Sequence, residues 1–426
     1  MSSYIFVSFP LLATVGIFPM EFDAPTHHPQ ILAFAPHPWD NHWLSRQQLL
    51  SRLAQRGWPV IYSHGPMHWW SRHTESWQRA PWLGRLETRE SGVRVDRPGR
   101  WPCLWDRSSF WNQRVLAMHA ARLLRSSQTP GTTVAMLFHP QFEPLLEWLR
   151  PDWVVYHVYD VYRLMDHWSP AKSAMEERLV TRADLITASS PGMARHLPAG
   201  GHLKARLLPN GADAHRFANA DHAPCPQDLA AIPTPRIGYV GNINPKIDLD
   251  MVTMIAIRHP EWHWVFMGPI YMNGTQDRER LARQAWERLL HLPNIHFLGL
   301  KGRDEIPAYV VHMDVNVICY KIARIEQGAP DDWVVHGYPT KLHEYLATGR
   351  PVVAAPQEAL REFADVMQIA SDTDAWENAL KQAIAGHGVG TPATRRARAL
   401  ENSWDRRVDQ LENWLQTLIH PAAPPP

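Results

Sequence analysis

Two α/β domains in tandem, each a doubly wound parallel sheet, are what this sequence predicts, on three observations. Short apolar runs bounded by Gly, Pro or Asn recur along the chain, as strands covered on both faces do. Helical patterns fall between the runs, giving a β-α rhythm. One proline-rich joint, 223–235 (APCPQDLAAIPTP), interrupts that rhythm, which then restarts.

In chain order, ILAFA (31–35) is a buried strand and Leu44 to Arg56 a helix. PVIYS (59–63) is the next strand, before a long irregular region rich in Trp and His and a helix near Phe110 to Leu124. VAMLF (134–138), WVVYH (153–157), LITAS (185–189) and ARLLP (205–209) complete the first set of strands. After the joint come RIGYVG (236–241), a helix from Leu249, WVFMG (264–268) and a helix over Arg278 to Leu290. IHFLG (295–299), VNVICY (315–320), the helix KLHEYLA (341–347) and PVVAA (351–355) follow, and a last amphipathic helix is predicted over Ala393 to Ile419. The expected domains are a leader at 1–30, a first domain at 31–222, the joint at 223–235, a second domain at 236–400 and a terminal segment at 401–426.

Composition narrows the function. Lys plus Arg number 43 against 42 Asp plus Glu, so the chain lacks the basic excess of a dedicated nucleic-acid binder. Cys103, Cys225 and Cys319 lie far apart with no CxxC, which argues against a disulfide scaffold or zinc ribbon and fits a reducing, cytoplasmic setting. The apolar stretch 4–20 falls short of the ~20 residues of a membrane span and contains Pro10, Gly16 and Pro19. It reads as an extension ahead of the fold, with a membrane-surface anchor as the alternative.

Two domains of this kind face each other across a cleft, and open α/β sheets bind ligands at the carboxyl ends of their strands. The strongest local signal there is HGYPTKLHEYLATGRPVVAAP (336–356). Its helix start offers free amides near Thr340 and Lys341 for a diphosphate, and Lys341 adds a positive charge. One turn on, Glu344 is placed to accept hydrogen bonds from neighbouring hydroxyls such as those of a ribose; the bland alternative is an amphipathic helix with a solvated Glu. Gly238 and Gly241 in GYVGNINPK give the backbone room to approach a phosphate, and Lys246 is suited to neutralise it. In the first domain, WVVYHVYDVY (153–162) brings His157 and Asp160 to a strand end, with a buried, satisfied His157 as the alternative. Asn210-Gly211 reads as a turn at the cleft rim. His64 and His68, four residues apart, have no third ligand placed for a metal, and Asp331-Asp332 reads as a solvated loop, so no metal site is expected.

The 336–356 segment resembles the donor-binding motif of retaining GT-B glycosyltransferases of the family-4 type, with its P-x-K-L-x-E-Y-L-A-x-G-x-P-V-V run. RLAQRGWPVIY (52–62), ADLITASSPGMARHL (183–197), LLPNGADAHRF (207–217), IGYVGNI (237–243) and ENSWDRRVDQL (401–411) fall in the order that family shows, covering most of the chain from residue 31. The resemblance implies a GT-B fold of two Rossmann-like domains with a terminal helix crossing back to the first. It also implies a nucleoside diphosphate sugar as donor with no further cofactor, and metal-independent transfer with retention. The acceptor would be a saccharide or lipid-linked saccharide in bacterial surface-polysaccharide assembly, reached in the cytoplasm or at the inner membrane. By the family pattern His157 meets the transferred sugar and Glu344 holds the ribose, while Asp160 is placed to orient His157 or an acceptor hydroxyl. His336 stands where the family's first Glu meets the sugar, and Asn242 stands near an expected Arg. These departures leave two alternatives, a GT-B epimerase and a silent scaffold that binds nucleotide or a partner transferase.

Overall fold

A computed structural model describes residues 28–40, 43–105, 109–129, 131–165, 168–272, 277–322 and 331–421; the 1–27 part of the leader lies outside them. The first domain is built on eight strands: β1 (Gln30–Phe34), β2 (Val60–Ser63), β3 (Arg85–Thr88), β4 (Arg94–Arg97), β5 (Thr133–Leu137), β6 (Trp153–Val158), β7 (Leu185–Ala188) and β8 (Ala205–Leu207). They lie in the order β3-β4-β2-β1-β5-β6-β7-β8, all parallel except the β3-β4 pair. The second domain has β9 (Arg236–Val240), β10 (His263–Met267), β11 (Ile295–Phe297), β12 (Val315–Ile318), β13 (Val352–Ala354) and β14 (Gln368–Ile369). Their order is β11-β10-β9-β12-β13-β14, parallel throughout. Strand order reverses beside β1 in one sheet and beside β9 in the other, and ligand crevices open at such reversals.

Both sheets are covered on two faces, which is why their central strands are apolar runs rather than alternations. In the first domain Leu32, Leu137 and Tyr156 face one layer with Leu123 and Leu179. Ile31, Met136 and Val155 face the other, which is closed by Leu49 and Leu53 of helix Ser45–Gln55 and by Val408, Leu411 and Leu415 of helix Trp404–Ile419. The terminal helix therefore does cross back to the first domain. Trp58 Nε1 donates to Glu412 Oε1 at 2.8 Å, and Arg56 pairs with the same carboxylate at 2.7 Å.

Four expectations need correction. The last helix is not continuous: Pro392–Glu401 and Trp404–Ile419 are separate, because the chain leaves the helix to pair with residue 212. Ala212 N–H donates to the Asn402 carbonyl and Trp404 N–H to the Ala212 carbonyl, and Ser403 caps the second helix. The joint is not a free linker: Gln227–Ala230 is a helical turn whose Leu229 is fully buried against Val265, Met267 and Met313. The irregular Trp-rich region contains β3 and β4, hidden from a hydrophobic pattern because RLET and RVDR are mostly charged. The fold also starts before Ile31: Gln30 is buried with Nε2 donating to the Pro59 carbonyl at 2.8 Å, and the His28 ring stacks on Trp58.

Candidate functional site

A cavity of about 480 Å³ opens between the domains at the two strand-order reversals. The first domain lines it with Trp43, Arg46, Tyr159, Asp160 and Asn210, among others. Gly241, Asn242, Lys246, Tyr320, Thr340 and Lys341 line it from the second. Six of the nine predicted site residues thus meet in one place: Asp160, Gly241, Asn242, Lys246, Thr340 and Lys341.

The loop after β9 owes its path to Gly241. Its φ of +130° is a conformation that L side chains rarely adopt, and a Cβ there would come within 2.8 Å of Lys341 Nζ. Gly238 has a different job from the one expected: it lies inside β9, where a Cβ would strike Met313, so it serves packing and not phosphate approach. Tyr239 turns its hydroxyl onto the Asn242 carbonyl at 3.1 Å, which holds the loop over the cavity.

Two lysines give the cavity its electrostatic character. Lys341 is 8% exposed, its Nζ 3.7 Å from the Tyr239 ring centroid and 5.4 Å from that of Tyr320. Lys246 Nζ lies 4.8 Å from the Tyr320 ring. Among the described residues neither lysine is in an ion pair. Burial lowers the Lys341 pKa, and the Lys246 charge lowers it further against the pull of Tyr320. The Tyr320 hydroxyl, which burial alone would raise, is brought down to about 8 by Lys246 and Lys341. Aromatic faces and a phenol stand in for carboxylates around these ammonium groups, leaving a net positive pocket suited to an anion. The helix Lys341–Ala347 has only seven residues, so side-chain charge and not a long helix dipole supplies that field.

Asp160 faces Lys246 from the other domain. Burial raises its carboxyl to about 7, with Lys246 pulling the other way. Glu344 sits one turn beyond Lys341, half-buried and set back from the cavity wall. Burial raises it to about 7, Asp213 adds to that rise, and Lys341, Arg303 and Arg216 oppose it.

Two predicted residues fall elsewhere. His157 lies within β6, 1% exposed, with Nδ1 bonded to Thr187 Oγ1 at 2.8 Å and the Phe138 ring against its edge. Burial lowers it to about 4. His157 is buried as the alternative has it and does not line the cavity, but its partner is the Thr187 hydroxyl and not a backbone carbonyl, and its Nε2 is buried without a hydrogen bond. His336 closes the short helix Trp333–His336 and also points away from the cavity. It packs into the seam on the first domain, where a Cβ on Gly192 would meet its Nδ1 at 2.5 Å. Ser190 Oγ donates to its carbonyl at 2.6 Å, and its Nε2 lies 2.7 Å from Asp331 Oδ1. Asp331 lies in an irregular, solvent-reached segment as expected, and in addition contacts both His196 and His336. Asn210 makes no left-handed turn; its Nδ2 donates to the Tyr338 carbonyl at 2.7 Å, tying the two domains at the cavity rim.

Sequence reasoning missed Arg46, Tyr159 and Tyr320. Arg46 is 2% exposed yet lines the cavity, its guanidinium 6.0 Å from the Tyr159 ring. A basic residue in the first turn of an ordinary-looking helix carries no signal of burial. Only the opposite domain makes it part of a site.

Residues 234–386 match the family model described as glycosyl transferases group 1. Over 185 residues the chain is 31% identical to a Bacillus subtilis (strain 168) protein whose name places TuaH among teichuronic acid biosynthesis glycosyltransferases. That match spans 43% of this chain and 42% of the relative, less than half of either. Among solved structures, Anabaena Alr3699/HepE in complex with UDP and glucose aligns with a TM-score of 0.66 over 92% of this chain and 100% of that one, at 15% identity. Sucrose-phosphate synthase from Thermosynechococcus elongatus aligns with a TM-score of 0.68 over 92% and 99%, also at 15% identity. By fold the chain has the GT-B architecture of these structures, and by sequence residues 234–386 of its second domain are similar to the glycosyl transferases of group 1.

Proposed function

We propose that this chain is a glycosyltransferase that moves a sugar from a nucleoside diphosphate sugar to a saccharide or lipid-linked acceptor in bacterial surface-polysaccharide assembly. One observation carries the reading: Lys246 and Lys341 converge on an interdomain cavity with no ion-pair partner among the described residues. As the bond between sugar and diphosphate breaks, negative charge grows on the leaving phosphate oxygen. Two fixed ammonium groups in the cavity favour that state over the uncleaved donor. They supply charge that a divalent cation supplies in other transferases, so the proposed departure is metal-independent and uses no cofactor beyond the donor. Glu344, one turn along, is assigned the ribose.

The first domain supplies the acceptor side. Trp43 offers a stacking face, Arg46 a buried cation, and Asp160 a carboxyl that titrates near neutrality and can hold the attacking hydroxyl or its proton. We assign attack to the face that the diphosphate leaves, with retention and without a protein nucleophile. The name of TuaH and the UDP in the HepE complex support this substrate class. No helix among the described residues is long and apolar enough to cross a membrane. The proposed location is the cytoplasm, at the inner membrane surface where the acceptor is lipid-linked.

A panel of UDP-, GDP- and dTDP-sugars, screened for binding and then for turnover with and without saccharide acceptors, tests the reading. Transfer that requires an acceptor is expected. Epimerised donor without acceptor would establish the epimerase alternative, and nucleotide binding without turnover on any donor the silent scaffold.

A further inference from the structure

Outside the cavity, three side chains from both domains converge on one point. His196 follows helix Pro191–Arg195 of the first domain, while Asp331 and His336 belong to the second. His196 Nε2 lies 2.9 Å from Asp331 Oδ2, and His336 Nε2 lies 2.7 Å from Asp331 Oδ1. Their ligand atoms all fall within 4.8 Å of one another, and the imidazole centroids are 4.4 Å apart.

The hydrogen bonding behind His196 makes this more than a polar seam. Its Nδ1 is 2.7 Å from the Gly192 carbonyl. A carbonyl only accepts, so Nδ1 carries the proton and Nε2 of the neutral ring presents a bare lone pair. That lone pair points at a carboxylate oxygen, which also only accepts. Two acceptors at 2.9 Å need either a second proton on the ring or a cation beside them. His336 differs behind its ring: Nδ1 is buried with no hydrogen-bond partner, and Glu358 Oε2, held by Arg195, stands 3.5 Å away. Both rings turn Nε2 to the common point, and His196 has in addition a backbone carbonyl behind its distal nitrogen, as metal-ligating histidines do.

We propose that His196, Asp331 and His336 bind one divalent transition-metal ion of the zinc class, which clasps the two domains beside the cavity. Two imidazoles and one carboxylate suit such an ion, whose N and O ligands lie at roughly 2.0–2.2 Å. Ligand atoms around it stand about 3.3 Å apart by that geometry, so the two contacts would open by a few tenths of an ångström. Asp331 is 37% exposed, which gives the ion a path from solvent and room for a water as fourth ligand. Trp333, Val334 and Gly337, from the same short segment as His336, line the cavity, so the clasp would fix one wall of it. The role is structural and separate from the transfer chemistry.

The test uses the full chain, stripped with a chelator and titrated with Zn²⁺ against a chromophoric competitor, then with Co²⁺ for its visible spectrum. One equivalent is expected, with a tetrahedral Co²⁺ spectrum and a melting temperature that rises with added Zn²⁺. His196→Gln and Asp331→Asn, both at solvent-reached positions, should each weaken binding at least about 10-fold and abolish the melting shift. A wild type that takes up no stoichiometric metal overturns the site, as does equal uptake by either variant. Absence of binding together with a His196-dependent gain in stability on acidification would identify an imidazolium clasp instead. None of these readouts uses donor or acceptor, so failure here is distinguishable from failure of the transferase reading.

Discussion

Lys341 Nζ lies 3.7 Å from the centre of the Tyr239 ring, and no carboxylate takes that place. The negative face of an aromatic ring attracts a cation without neutralising it. A salt bridge would cancel the charge and leave nothing for a ligand. Lys246 over Tyr320 repeats the arrangement on the next strand. The site thus holds positive charge at a cost in stability, as sites prepared for an anion do.

From that cost follows a trade between stability and binding at Lys341. Lys341→Met keeps the length of the side chain and removes a buried charge whose pKa burial has lowered. The melting temperature should hold or rise, while affinity for a nucleoside diphosphate falls about 10- to 100-fold, equivalent to ~1.5–3 kcal/mol for a lost charge-assisted contact. Calorimetry and thermal unfolding on the same variant check both halves. A variant that melts lower and binds UDP, GDP and dTDP as before would leave Lys341 a structural residue.

Glu344 makes a prediction about pH. Its folded pKa is raised to about 7, above the ordinary carboxylate range of an unfolded chain. Between those values the folded protein binds more protons than the unfolded one, so this group's contribution is fully present in acid and lost as pH rises towards 7. Glu344→Gln removes the titration. The variant should match the wild type near pH 4.5 and exceed it in melting temperature at pH 8, with nucleotide binding weakened at pH 8, where the carboxylate is ionised. A stability difference that does not change with pH would show Glu344 ionised throughout.

His157 separates the two readings that its sequence position left open. With Nδ1 on Thr187 and a fully packed ring, His157→Ala should cost about 2–4 kcal/mol, the range for emptying a buried site. Turnover per folded molecule, measured beside thermal unfolding, should change little. Turnover that collapses by two orders of magnitude while stability is unchanged would return His157 to the cavity and contradict its place in β6.

Much of the architecture could be read from residue order. Apolar runs such as ILAFA and WVVYH, covered on both faces, leave few alternatives to a parallel sheet, and the proline-rich joint marked where the second sheet begins. The phosphate-side residues were legible for a similar reason. Lys246, Thr340 and Lys341 belong to short segments that follow or precede strands of one sheet, so local order determines which end of the sheet they reach. Strands β3, at the edge, and β4, next to it, escaped because their largely charged residues carry no hydrophobic period.

Residue order thus sufficed for the α/β class, the two-sheet division and the lysine-bearing loop and helix of the second domain. Tertiary structure alone decided which side chains face the cleft. His157 faces the core between Thr187 and Phe138, and the close approach of Gly192 leaves room for His336 at the seam beside His196 and Asp331. Arg46 entered the site from a helix of the other domain. Strand side chains alternate every residue, and interdomain contacts join positions more than a hundred residues apart, so a one-residue boundary or a rigid-body placement outweighs any local pattern.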